Sequence, residues 1–471
     1  MAGRFLSLFG PLSRFMPEVS SPTRKVSFNE KLFWTAMALI IYLVMSEISL
    51  FNVEGGGLAF ESIRIIFASN RGTLTELGIG PIVTGGLILQ LLIGSGIIAA
   101  DLGNPEDRSL FTAANKVFTI VLTGVQATAY LIGGVYGPLD LVTSLIIFIQ
   151  LLFAGLVLML LDEMIQKGWG IGSGISLFIL AGVAQRIMWS SFGPYTMEDG
   201  KSYGAFIALG QTILGGQSLG SAFFRLDAEG ALTNLPSMLG FITTVVVFII
   251  VIYMEGVRVE LPISHANYRG FRGKYPIKLL YVSNLPVIFA SALFANIYVF
   301  AQLLSSHFGP NNFWVSLLGT FGGEGGAPTG GLAYYVTAPR SLAQVGADPV
   351  RALAFVGIMV AFAVVFSITW LEVGGLGPST VAQQLLDSGM QMHGYRSVAK
   401  SIEPRLKRYI PVVTILGGAI IGLIASVSEF FGVFGTGMGI LLAVGILYQY
   451  YQLLVQEQVA EMYPALGRVL G

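Results

Sequence analysis

The sequence predicts an all-α polytopic membrane protein: ten transmembrane helices in two inverted five-helix halves, with both termini cytoplasmic. Three observations predict it. Of 471 residues, 54% are hydrophobic and only 11% charged, against roughly 25% charged in a soluble domain. The apolar residues gather into ten runs. Lys and Arg fall unevenly on the two sides that those runs define. A soluble enzyme, a secreted scaffold and a disordered chain are excluded.

The runs are 32–50, 79–98, 113–133, 139–161, 172–189, 238–254, 279–304, 352–371, 410–434 and 437–455. Most suit a hydrocarbon core of ~30 Å. Unsatisfied backbone is costly in lipid, so each run is expected to be a helix. The third is the weakest, because Lys116 and Gln126 interrupt it. Placing the N-terminus inside puts nineteen of the 26 Lys and Arg residues on the cytoplasmic side and seven outside, which decides orientation. Residues 1–31 carry Arg4, Arg14, Arg24, Lys25 and Lys31 but no continuous apolar core. They are not a cleavable signal peptide. They read as an amphipathic arm on the membrane surface or as a disordered tail.

The chain divides into the arm, an N-terminal half (32–190), an external linker or hinge (191–237), a C-terminal half (238–456) and a cytoplasmic tail (457–471). Five spans is an odd number, so the halves have opposite orientation, the arithmetic of an inverted repeat. A weak echo supports it: Gly170-Ile-Gly-Ser-Gly-Ile175 opens the fifth run, and Gly435-Thr-Gly-Met-Gly-Ile440 the tenth. The external stretch 311–331 is Gly-rich and has no physical account at this level.

Glu47, Lys116, Asp162, Glu163, Arg186 and Glu429 lie near run ends, and no run has a mid-membrane carboxylate pair. That argues against a proton-coupled transporter. There is no Cys, and His265, His307 and His393 are widely separated. No phosphate loop, metalloprotease helix or nucleophile elbow occurs. No enzyme, cofactor or metal is expected. A secondary transporter of small solutes stays open as the alternative class, but such a site needs polar or charged groups at the midplane. Glycine is abundant, at 60 residues. In Gly78-Ile79-Gly80-Pro81 it reads as close packing or as a helix break that starts the second span near Ile79.

The run from Leu77 to Gln90 (LGIGPIVTGGLILQ), continuing to Gly96, resembles the second-helix signature of the SecY protein-conducting channel, an α-subunit shared with eukaryotes. Pro105 to Arg108 (PEDR), Gly170 to Ile179, Gly273 to Pro286 (GKYPIKLLYVSNLP) and Arg405 to Pro411 (RLKRYIP) agree with it. The loop wording is of the archaeal type. The resemblance implies the central pore subunit of a protein translocase, passing secretory polypeptides and releasing membrane segments sideways.

It implies a pore ring of Ile79, Val83, Ile175, Ile179, Ile288 and Leu442. Ile79/Val83 and Ile175/Ile179 are i,i+4 pairs, each on one helix face. A narrow aliphatic ring gates by dewetting. It implies a plug at Phe60, Glu61, Ser62, Ile63, Arg64, Ile65, Ile66, Phe67, Ala68 and Ser69, and a lateral-gate polar cluster of Thr84, Gln126 and Asn296. It also implies two docking loops, carrying Arg269, Arg272, Lys274 and Lys278, and Arg396, Arg405, Lys407 and Arg408. The positive-inside rule by itself also yields such loops. The implied partners are the ribosome, SecE-type (gamma) and small beta-type subunits, signal sequences and nascent chains, the lipid bilayer and a second copy of the channel. The implied location is the plasma membrane.

Overall fold

A computed structural model of the chain describes residues 16–53, 68–70, 72–94, 105–133, 139–197, 200–216, 218–225, 235–265, 272–282, 285–309, 312–322, 327–392 and 399–462, with eight isolated positions besides (6, 9, 11, 97, 98, 136, 137 and 233). Ten helices follow the ten apolar runs: α1 (Phe28–Glu47), α2 (Gly80–Gly94), α3 (Pro105–Ile132), α4 (Leu141–Met164), α5 (Gly174–Phe192), α6 (Met238–Gly256), α7 (Leu285–Phe308), α8 (Pro349–Val373), α9 (Ala399–Phe430) and α10 (Gly437–Met462). Among the described residues, eight helices are long and apolar enough to cross a membrane. The other two runs appear as the shorter apolar stretches Gly80–Gln90 and Pro286–Gln302.

Local signals set where several of them start. Ser27 caps α1 by accepting from the Glu30 N–H, and Ser237 caps α6 by accepting from the Gly240 N–H at 3.2 Å. Asp348 caps α8 ahead of Pro349, accepting from the Arg351 N–H at 3.0 Å. A proline at the first helical position loses no bond. Faces then sort by solvent. On α4, Leu141, Leu145, Ile149 and Phe153 stand outward at i,i+4 spacing, whereas Ile147, Leu151, Ala154 and Leu158 are buried. On α6, Val245, Ile249 and Tyr253 repeat that outward stripe. Apolar residues all round a helix are expected where lipid replaces water.

Two helices start about two turns or more before their apolar runs. α3 begins at Pro105, and Lys116 is no interruption: its Nζ meets Glu163 Oε1 of α4 at 2.5 Å. α9 begins at Ala399 and runs 32 residues through Pro404 and Pro411, about 48 Å at the helical rise. Its first turns therefore lie below the membrane. The linker is also more ordered than a connection, holding helices at Ala205–Leu214 and Leu219–Phe224. The buried Arg225 guanidinium ties it together, donating to Ser202 O at 2.7 Å and Pro236 O at 3.4 Å.

The two basic cytoplasmic loops form one unit. β1 (Arg258–His265) and β2 (Arg272–Lys278) pair antiparallel, and a strand from the second loop, Met390–Met392, pairs with β1 in register Ile263↔Met392. Beneath this sheet lies a separate apolar core in which Leu261, Ile263 and Ile277 meet Val381, Leu385, Leu406 and Ile410. The external Gly-rich stretch becomes a short helix (Phe313–Leu318), then β3 (Thr320–Gly322) paired with β4 (Ala327–Gly330), then a helix at Gly331–Val336. The strand Met390–Met392 is thus β5.

α8 and α9 form the closest helix pair. Gly418 and Gly422, one turn apart, let the backbones meet. A Cβ on Gly422 would lie 2.9 Å from Val360 Cα, whereas one on Gly357 of α8 would meet nothing within 4 Å. Gly422→Leu should therefore destabilise the protein by about 1–3 kcal/mol through overpacking. Gly357→Leu should leave the thermal midpoint of the purified protein unchanged. Equal midpoints for the two variants would refute this account of the α8–α9 pair.

Candidate pore, gate and docking face

The second helix starts at the expected break. Gly78 takes φ +53°, α2 begins at Gly80, and Pro81 falls in its first turn. Ile79, immediately before it, is fully buried. All six ring candidates share one apolar cluster: Ile79, Ile179 and Leu442 are buried in it, and Val83, Ile175 and Ile288 pack against it. Five of them, all but Ile79, line a cavity of about 690 Å³ whose walls come from α2, α3, α4, α5, α7, α8 and α10. Its polar part carries Asn115, Lys116, Asp162, Glu163, Lys167 and Gln449.

Three further apolar residues belong both to this wall and to the buried apolar cluster: Ile82, Met159 and Ile446. Helical spacing could have found two of them, since Ile82 follows Ile79 by three and Ile446 follows Leu442 by four. Met159 carried no signal.

The starts of α5 and α10 explain how the ring candidates Ile175, Ile179 and Leu442 are held. Each is a helix N-terminus packed inside the protein, where first-turn N–H groups need acceptors. Ser173, at the α5 cap, makes no side-chain cap bond. Instead Asp162 of α4 reaches across, its Oδ1 accepting from the Ile175 N–H at 3.0 Å. In the other half, Glu429 of α9 accepts from the Gly437 N–H at 3.1 Å, and Thr436 accepts from the Gly439 N–H at 3.1 Å. So in each half a buried carboxylate on the fourth helix caps the fifth.

The left-handed glycines before the two helices are Gly172 and Gly435. That pairs Gly174 with Gly437 and Ile179 with Leu442, two residues out of the register that the sequence echo suggests. Tyr450 of α10 then joins the halves: its hydroxyl accepts from the Ser173 N–H at 3.1 Å and lies 3.0 Å from Ile171 O.

Of the plug candidates, Phe60 to Phe67 lie outside the described residues. Ala68 and Ser69 are described and buried. Ala68 belongs to the ring's own apolar cluster, and the Tyr42 hydroxyl of α1 donates to its carbonyl at 3.0 Å. Ser69 Oγ donates to Glu76 O at 2.5 Å.

The gate cluster is not assembled by hydrogen bonds. Among the described residues none joins Thr84 of α2, Gln126 of α3 and Asn296 of α7. The Asn296 amide donates to Ala292 O of its own helix at 2.8 Å, the local alternative open to an Asn within a helix. Across this side of the molecule α2 meets α8 only thinly, whereas α5 and α10 pack closely on the other.

The docking candidates separate. Arg269 and Arg396 lie outside the described residues. Arg272 is in β2, and Lys274 beside it is exposed and bonded to Glu260. Lys278 sits 4.9 Å over the Tyr448 ring of α10, at the base of the sheet. Arg405, Lys407 and Arg408 are exposed on the first turns of α9 while Leu406 is buried.

The arm is clasped at this mouth. Lys167 Nζ meets Glu18 at 2.5 Å and Glu163 at 2.9 Å, and the Trp169 indole donates to Ser20 O at 2.8 Å. The hydrogen bond from Lys167, then the charge of Lys116, hold the Glu18 carboxyl below its ordinary pKa.

Asp162→Asn should speed amide exchange at Gly174 to Leu177 and leave Gly437 to Ile440 unchanged. Glu429→Gln should do the reverse, each cap being worth about 1–2 kcal/mol. Uniform changes across both helices would mean that the carboxylates do not act as local caps.

The sequence matches the SecY family over residues 73–451 and the plug domain of Sec61p over residues 40–72. A solved structure described as that of a protein-conducting channel is 38% identical, covers 97% of this chain and 98% of its own, and superposes with a TM-score of 0.80. Sec61 in the canine ribosome–channel complex from the endoplasmic reticulum is 37% identical over 97% of this chain and 98% of that one, at 0.77. The yeast Ssh1 complex bound to the yeast 80S ribosome is 27% identical over 96% and 94%, at 0.75. With one family matched over most of its length and that family's plug segment just upstream, the chain belongs to the SecY family of protein-conducting channels.

Proposed function

We propose that polypeptides cross through the cavity and that Ile79, Val83, Ile175, Ile179, Ile288 and Leu442 form its constriction. The observation that carries this is that six aliphatic side chains from α2, α5, α7 and α10, and from the turn before α2, converge on one apolar cluster below a polar mouth. Such side chains offer ions and water no hydrogen bonds, so a closed ring dewets. They also yield around a sliding chain without holding it. The segment 60–69 is the seal on the external side, which the burial of Ala68 in the ring cluster supports.

Membrane segments leave between α2/α3 and α7/α8. The thin α2–α8 contact favours that seam over the α5–α10 side. Thr84, Gln126 and Asn296 are the groups on these helices able to form hydrogen bonds with an incoming segment, at ~0.6–2 kcal/mol each.

The cytoplasmic sheet and the start of α9 receive the ribosome. The canine and yeast relatives are seen in ribosome complexes. Here Lys274, Arg405, Lys407 and Arg408 are the exposed cations suited to RNA phosphates. Arg269, Arg272 and Arg396 join them on the same loops, and Lys278 supports the base. A SecE-type and a small beta-type subunit cover part of the outward apolar surface, in a plasma membrane, and a second copy of the channel is a further partner.

The cysteine-free chain makes the pore test direct. One Cys replaces Ile79 or Ile288, a second is placed in the middle of a stalled, ribosome-bound secretory chain, and the pair is oxidised. A disulfide is expected at ring positions and not at lipid-facing Ile149. Absence of a crosslink at all six ring positions, with the ribosome bound, would overturn the pore assignment. Separately, changing Arg405, Lys407 and Arg408 together to Glu should weaken ribosome binding roughly tenfold or more at physiological salt and flatten its salt dependence. Unchanged binding would remove α9 from the docking face.

A further inference from the structure

We infer that the short helix Phe313–Leu318 is an elbow seated in the outer lipid leaflet, with Phe313, Trp314 and Leu317 inserted at the boundary between headgroups and acyl chains. α7 ends at Phe308, and the chain turns at Gly309 with φ +72°. Only residues 309–312 separate the two helices, a reach of at most about 14 Å. The elbow then runs back along α7. A Cβ on Gly319, at its end, would lie 3.1 Å from Ala301 Cβ. Further on, the Phe321 ring packs edge-on against Tyr298 at 5.1 Å. Ala301 is seven residues inside the end of α7, about 10 Å along the axis. The elbow therefore sits at the depth of the outer part of a membrane-spanning helix.

Its surface fits that depth. Val315 is buried against the protein, whereas Phe313, Trp314 and Leu317 are 69%, 70% and 56% exposed. The ends of the flanking helices also present outward apolar groups, Phe308 on α7 and Val350 and Leu353 on α8. The elbow thus continues the lipid-facing surface. From Leu279 to Pro339 the sequence holds one Asp, Glu, Lys or Arg, namely Glu324. Arg351, the next cation inward from the start of α8, is turned to protein: it lies 4.1 Å over the Tyr334 ring and donates to Tyr334 O. An uncharged Phe-Trp pair at a helix end is the composition of an interfacial anchor. Irregular backbone is tolerated at such depth only against protein. The β3–β4 hairpin meets that condition by pairing its strands and packing on α7. The elbow would then tie the external end of α7 to the leaflet.

The test again uses the absence of cysteine. Trp314→Cys, Leu317→Cys and, as an aqueous control, Lys407→Cys are each labelled with an environment-sensitive fluorophore. The full-length channel is studied in bilayers with nitroxide lipids, alone and with its small subunits. The expected result at 314 and 317 is blue-shifted emission, quenched by nitroxides near the headgroup and resistant to iodide, with the opposite at 407. Iodide quenching at the level of the control, without nitroxide quenching, would overturn the proposal and make the elbow a wall of the aqueous vestibule. A blue shift that appears only with the small subunits would overturn it in favour of a protein contact.

Discussion

The structure depends on starting two helices inside the protein. The first N–H groups of a helix need acceptors, and leaving them unmet in an apolar surrounding costs several kcal/mol each. α5 and α10 begin inside the protein and carry Ile175, Ile179 and Leu442 within their first turns. Asp162 and Glu429 supply the missing acceptors from the preceding helices. Once those starts are fixed, their aliphatic side chains enter one apolar cluster. Tyr450 then fastens the two halves beside it. The residues proposed for the ring thus owe their position partly to Asp162 and Glu429, of which Asp162 also lines the cavity.

The halves are joined unequally. α5 and α10 pack closely, while on the opposite side α2 reaches α8 through a thin contact and the cavity intervenes. Helices in lipid gain little from apolar contact alone, so close packing and polar bonds decide which pairs stay together. The Gly418–Gly422 stripe holds α9 to α8, and the Lys116–Glu163 pair holds α3 to α4. No comparable device among the described residues joins α2 or α3 to α7. Among the described residues, no hydrogen bond joins Thr84, Gln126 and Asn296 either.

On the cytoplasmic side the long loops are a small domain. Its sheet takes two strands from the first loop and one from the second, and its apolar core is covered by the start of α9. Arg405, Lys407 and Arg408 therefore stand on a helix whose other face is anchored by Leu406 and Ile410, a stiffer mounting than a loop provides.

The sequence by itself determined the class, the ten spans, their orientation and the break before α2. These follow from composition, run length, the Lys/Arg bias and Pro81, and each is a local property that lipid enforces on any chain. The aliphatic residues proposed for the ring were picked out by the family resemblance and by i,i+4 spacing, and they gather in one apolar cluster. The tertiary structure decided what depends on residues far apart in the chain. Lys116 read as a flaw until Glu163 met it. Asp162 and Glu429 read as ordinary charges near helix ends until the starts of α5 and α10 came to rest against them. The strand Met390–Met392 has no pattern of its own and forms only because β1 offers an edge. The sequence echo between the halves lies two residues out of register, because it aligns glycine with glycine by spacing, whereas only the left-handed turns at Gly172 and Gly435 fix where each helix begins.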